Sequence, residues 1–115
     1  MYDSKKDYGE MAIQFALDVS NLCDGIVGCR SYVDQLVRSS SSIGANLFEA
    51  RYAQSNADFI HKLEISLKEC YESEFWLELL FRKGKISKQA FDALNGARGR
   101  LQRKLIASIS TAKAK

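Results

Sequence analysis

SYVDQLVRSSSSIGANLFEARY (residues 31–52) holds four consecutive serines, and the reading of that run decides the fold. By composition the run is a linker. By position it is not. Val33, Leu36, Val37, Ser40, Ile43, Gly44 and Leu47 recur at three- and four-residue steps straight through it, which is the spacing of one helix face. The stretch is therefore read as one helix, with small serines where a linker would have broken the periodicity.

Working outward, three weak points punctuate the chain: Asp24-Gly25 with Gly28, the run YAQSN (residues 52–56), and Lys83-Gly84-Lys85. Proline is absent, so nothing forces a further break. Residues 4–23 carry Tyr8, Met11, Phe15, Val19 and Leu22 at helical steps. Residues 55–82 carry Phe59, Leu63, Cys70 and Leu77, with small Ser66 and Ser73 beside them, and Ser55 followed by Asp58 suits an N-cap with an acidic first turn. Residues 87–112 carry Leu94, Leu101, Leu105 and Ile109 behind a Ser87 cap. At 115 residues the chain is one domain with a modest core. Four helices with short connections predict an all-α, antiparallel up-down-up-down four-helix bundle over residues 1–115.

Projection onto helical wheels adds three expectations. First, Ile13 and Leu17 on helix one, and Ile65, Phe75, Trp76 and Leu79 on helix three, lie off the main apolar stripes. A bundle helix needs one buried face, so a second apolar face predicts association with another copy or a partner. Second, Glu74 falls between Leu63 and Leu67, and Arg98 between Leu105 and Phe91. With the turn centred on Gly84 they sit at similar heights, which predicts a buried ion pair that gives specificity rather than net stability. Third, Gln35, Ser39, Ser42, Asn46 and Glu49 form a polar stripe of small residues on helix two. Serine and asparagine cost helix propensity, so the stripe predicts a polar contact with another helix or subunit.

The chemistry-bearing residues are few. His61 is the only histidine, and His61-x-x-Glu64 occurs once and in the wrong order for a carboxylate-bridged metal site. No Cys-x-x-Cys pair joins Cys23, Cys29 and Cys70, which read as free thiols in a reducing cytoplasm. No phosphate-cradling glycine loop is present. The expectation is a non-enzyme with no metal and no cofactor. The start MYDSKKDYGE is polar and no secretory signal, and no apolar run approaches the ~20 residues that span a bilayer, so a cytoplasmic protein without membrane contact is expected.

Charge is the informative property. The whole chain carries +3, yet residues 1–80 carry −6 and residues 81–115 carry +9, with Asp92 as the only acid of the latter. Arg82, Lys83 and Lys85 precede the fourth helix, and Lys88, Arg100, Arg103 and Lys104 fall on its arc away from the leucine seam. This set predicts phosphate contacts to RNA or DNA that position without reading sequence.

RSSSSIGANLFEA (residues 38–50), Ser55-x-x-Asp58-Phe59-Ile60, the run from Ile65 through Leu67-Lys68-Glu69, and Trp76-Leu77-x-Leu79-Leu80 together resemble the four-helix-bundle proteins encoded in intervening sequences of 23S rRNA genes, also termed ribosomal S23-like. The resemblance is strongest over residues 33–80. Many members read Glu-Gly where this chain has Glu49-Ala50. The resemblance implies a homo-oligomer, a ring-shaped pentamer above all. It also implies kinship with the accessory variability determinant of diversity-generating retroelements, which binds nucleic acid and a reverse transcriptase through a basic surface. Nothing in the residues argues for a ribosomal subunit component. The function expected is a nucleic-acid-associated accessory or scaffold protein. The rival is a protein-interaction adaptor that receives a partner on the Trp76 face without binding nucleic acid.

Overall fold

At two of the three reversals the backbone enters the left-handed region that glycine tolerates: Gly28 has φ 85°, followed by Cys29 at 53°, and Gly84 has φ 75°. Between the reversals the computed structural model, which describes residues 3–115 and the side chains from Tyr8 onward, forms four helices. These are α1 (Asp3–Cys23), α2 (Arg30–Ala50), α3 (Asn56–Arg82) and α4 (Lys88–Lys113), and no strand occurs among the described residues. The serine run is helical throughout. Helix α2 stops at Ala50 rather than 52, because Arg51 and Tyr52 turn their N–H groups back onto Phe48 and Glu49. Ser55 accepts the Asp58 N–H and Ser87 the Ala90 N–H, so local capping sets both remaining starts.

Named contacts fix the helix directions. Going up α2 and down α3, Ser39 Oγ meets Ser73 Oγ at 2.9 Å, the Ile43 carbonyl accepts from Ser66 Oγ at 2.8 Å, and Glu49 pairs with Lys62 at 2.8 Å. The two helices therefore run antiparallel. Asn56 Nδ2 donates to the Ala112 carbonyl at 2.9 Å, which sets the start of α3 against the end of α4. Ala12 of α1 lies against Gly44 of α2, where an added Cβ would approach the Ala12 methyl to 3.4 Å. At the far end Lys85 Nζ donates to the Val27 carbonyl at 2.7 Å, joining the two reversals.

The molecule measures 46 × 23 × 18 Å. A helix of α3's length spans about 40 Å, so the helices run along the long axis and the core is a narrow seam. Phe15, Leu36, Ile43, Leu63, Leu77, Leu80, Leu101 and Leu105 fill it and are essentially inaccessible. Serines fill it too: Ser39, Ser40, Ser66 and Ser73 are buried, each hydroxyl bonded to a carbonyl or to another hydroxyl wherever it leaves water.

Leu77 has no exposed surface. Leu77→Ala is expected to lower unfolding free energy by about 2–5 kcal/mol. Urea titration followed by helical circular dichroism measures it, with the slope against denaturant unchanged.

Candidate nucleic-acid interface

The basic residues singled out in the sequence divide once their neighbours are known. Arg82 Nε pairs with Glu78 at 2.9 Å, one turn back on α3. Lys88 Nζ pairs with Asp92 at 2.7 Å. Lys85 is spent on the Val27 carbonyl. Lys83, Arg100, Arg103 and Lys104 hold no ion pair and no side-chain hydrogen bond among the described residues. Arg100 and Arg103 are exposed and Lys104 is half-buried. Of the seven, Arg82 and Lys88 are neutralised, Lys85 is tied to a carbonyl and Lys83 stands unpaired at the α3–α4 reversal, while Arg100, Arg103 and Lys104 form an unneutralised band midway along α4.

Helix α4 presents that band because of what its other face must do. Leu94, Leu101, Leu105 and Ile109 occupy the buried side, with Arg98 between them. Arg98 is 5% exposed. Its Nε donates to Asn95 Oδ1 at 2.8 Å, its Nη1 to Gln102 Oε1 at 2.7 Å, and its Nη2 lies 3.4 Å from Glu74 Oε2. Only the arginine end of this pair is buried, since the Glu74 side chain is 51% exposed. Two neutral amides carry most of the guanidinium's hydrogen bonding. That arrangement avoids removing both charges from water. Arg98 is therefore structural and not part of the exposed cationic band.

The second apolar faces also take definite places. Ile13 (39% exposed) and Leu17 (50%) stand on α1 beside Val37 and Phe48 of α2. With Ala12, Ala16, Gly44 and Ala45 as floor they line a groove of about 540 Å³. On α3, Phe75 is 57% exposed, while Ile65, Trp76 and Leu79 are half-buried. Trp76 stacks on Tyr32 of α2 at 5.8 Å and meets the Phe75 edge at 4.9 Å. The polar stripe of α2 meets α3 of the same chain through Ser39 and Glu49. Ser42 and Asn46 are half-buried and bond within α2, Asn46 Nδ2 donating to the Ser42 carbonyl at 2.9 Å.

Sequence reading missed the cluster that closes the α2–α3 surface. Arg38 Nη1 reaches Glu69 Oε1 at 3.2 Å, Arg38 Nη2 donates to Glu72, and Trp76 Nε1 donates to the same Glu72 carboxylate at 3.1 Å. The available signal was Arg38 at the head of the serine run, with Glu69, Glu72 and Trp76 at helical spacing. Donation from Trp76 and then from Arg38 holds the Glu72 carboxyl below its ordinary value.

Other reactive groups are dispersed. Among the described residues no three of His, Cys, Asp and Glu converge on a metal-sized site, and His61 is exposed. Cys23, Cys29 and Cys70 are free thiols. Burial, then the charge of Asp24, pushes Cys23 up to about 11, so it stays a protonated thiol at neutral pH. No helix is long and apolar enough to cross a membrane among the described residues.

The sequence profile of the family described as 23S rRNA-intervening sequence protein matches residues 5–107. Among solved structures, the chain is similar to a protein of unknown function from the S23 ribosomal protein family of Bacteroides thetaiotaomicron VPI-5482. The two share 38% identity with a TM-score of 0.87, over 92% of this chain and 97% of that one. No curated protein matches.

Two outcomes test the charge assignments. Glu74→Gln is expected to cost under about 1 kcal/mol, and Arg98→Ala more than about 2 kcal/mol, in the same denaturation assay. Glu72 is a depressed carboxylate, so its contribution is present above the unfolded-state pKa, about 4.3, and is lost as pH falls through the lower folded value. The stability gap between wild type and Glu72→Gln should hold from neutral pH to about pH 5 and shrink below it. A gap that stays constant into strong acid would show that Glu72 is not held ionised by Trp76 and Arg38.

Proposed function

The chain belongs to the 23S rRNA-intervening sequence protein family, and from that membership we propose that it is a non-enzymatic accessory or scaffold protein that binds RNA or DNA through phosphate contacts. One observation carries the reading: Arg100, Arg103 and Lys104 stand together on α4 with no ion-pair partner among the described residues. Asp92 is the only acid of α4, and Lys88 takes it up. An unneutralised cationic band draws a polyanion, and binding releases the counterions condensed on the phosphates. Free thiols on the chain suit a reducing compartment such as the cytoplasm.

The protein acts as a homo-oligomer in this proposal, with the pentameric ring as the favoured form. Support comes from two unpartnered apolar surfaces of different shape. One is the α1–α2 groove rimmed by Ile13, Leu17, Val37 and Phe48; the other is the ridge of Ile65, Phe75 and Leu79 on α3. A contact between unlike surfaces is heterologous, and heterologous contacts close into rings when the rotation permits. Repeating a weak cationic band around a ring multiplies affinity without any new contact.

The aromatic cluster of Tyr32, Phe75 and Trp76 favours a second reading, a protein-interaction adaptor with no nucleic-acid role. Its partner protein would dock on that cluster, as aromatic anchors do at interfaces.

A mixed pool of structured RNA and duplex DNA, incubated with the purified protein at two salt concentrations, separates the readings. Wild type is expected to bind, and to lose about tenfold or more in affinity between low and moderate salt. Changing Lys88, Arg100, Arg103 and Lys104 together to Gln is expected to abolish most of that binding while leaving helicity and Tm within a few degrees. Salt-insensitive binding, or none by correctly assembled wild type, would overturn the proposal. Trp76→Ala should then abolish capture of a protein partner instead.

A further inference from the structure

Building on the phosphate-binding reading of α4, we infer that the ligand is double-helical nucleic acid, held by one strand's phosphates, rather than single-stranded nucleic acid held by its bases. Three observations point there. The first is the absence of a stacking platform. Single strands are gripped largely by aromatic side chains on which bases stack. The only aromatic residue of α4 is Phe91, and it is spent inside the fold, stacked on Phe81 of α3 at 4.6 Å and 17°. Among the described residues the exposed aromatic side chains are Phe48 of α2, Tyr52 in the α2–α3 connection, and Tyr71 and Phe75 of α3, and none stands on α4.

The second is the compactness of the charge. Arg100, Arg103 and Lys104 fall within about 6 Å of helix axis, a little over one turn. Towards the start of α4 the cation Lys88 is already paired with Asp92, and towards its end Lys113 is paired with Glu64 at 3.2 Å. The free charge is thus a short band that touches a few phosphates of a rigid ligand. It is not a long track that follows a flexible strand.

The third is the relief of the surface around the band. Exposed Gly96 and half-buried Gly99 lie in mid-helix, where each costs about 1 kcal/mol against alanine. The chain's own packing does not account for them. A Cβ on Gly96 would meet only Arg100 Nη1 at 3.9 Å, and one on Gly99 only Arg103 Nη1 at 3.5 Å, both ordinary contacts. Gly44 differs, because it faces the Ala12 methyl at 3.4 Å. With exposed Ala93, Ala107 and Ser110, the two glycines leave the flank of the cationic band low. A stiff double helix cannot fold around protruding side chains, so it needs that low relief; a single strand does not.

The test uses the full-length protein as it assembles, and two mixed-sequence probes of equal length: a duplex of two helical turns, in RNA and DNA forms, and a single strand. Fluorescence anisotropy at several salt concentrations reads affinity and salt slope. Wild type is expected to bind duplex at least fivefold more tightly than single strand. Arg100→Gln, Arg103→Gln and Lys104→Gln in combination should lower the duplex salt slope by about 2–3, one unit per lost phosphate contact. Gly96→Gln with Gly99→Gln adds bulk but no charge and favours the helix. That pair should raise Tm, weaken duplex binding severalfold and leave single-strand binding unchanged. Single strand bound as tightly as duplex, with the cationic triple variant still losing both, would overturn the duplex inference and leave the phosphate reading standing. No binding of either probe by wild type would overturn both. An unchanged duplex affinity in the glycine pair would also overturn the inference, because the low relief would then have no role.

Discussion

The contact of α2 on α3 through serine is the constraint from which the rest of the structure follows. Ser39 against Ser73, and Ser66 against the Ile43 carbonyl, are small enough to let two long helices approach closely, and polar enough to need each other once water is gone. This seam fixes register: sliding α3 by one residue would leave hydroxyls unpaired in a dry interface. The ends of the seam are closed by charge, with Arg38 on Glu69 and Glu72 and Lys62 on Glu49. Leucine is the commonest residue of the buried core, but leucine contacts tolerate slippage, and bonded hydroxyls do not.

That seam also decides what the remaining surfaces are free to do. Many charges of α2 and α3 are met between those two helices or within one of them, as Arg30 is by Asp34 and Arg82 by Glu78, while Glu74 and Glu64 reach α4 at Arg98 and Lys113. Acidic residues 1–80 therefore do not spread their charge evenly over α4. Helix α4 leans on α3 through Arg98, Phe91 and its leucines, and shows its bare cationic band outward. The opposite charges of the two parts of the chain offset each other only in part, to a net +3, and are separated in space. Fields from such separation act at a distance and speed encounter with a polyanion before any specific contact forms.

On the other side of the bundle, α1 and α2 meet over alanine and glycine, and the low floor leaves an apolar groove with Ile13, Leu17, Val37 and Phe48 at its rim. Arg51 lies over the Phe48 ring at 4.2 Å, so one edge of the rim is cationic as well as apolar. Groove and cationic band lie on different faces. Covering one would leave the other open.

The helices, their caps and the core leucines were legible in the sequence because each depends on neighbours within one or two turns. Ser55 and Ser87 cap whatever follows them, and the periodicity of residues 33–47 outweighs a serine-rich composition. Facing residues were legible only where two wheels and a turn of known length could be combined, as for Glu74 and Arg98; burial of one end alone was not, since the wheel does not show how far a helix edge reaches into solvent. Pairings that close across the fold were invisible: Arg38 with Glu69 and Glu72, Lys85 with the Val27 carbonyl, Tyr32 with Trp76. The basic set looked uniform in sequence because charge is counted there residue by residue. Only the tertiary structure, by deciding which acids come within reach, separated neutralised Arg82 and Lys88 from free Arg100, Arg103 and Lys104.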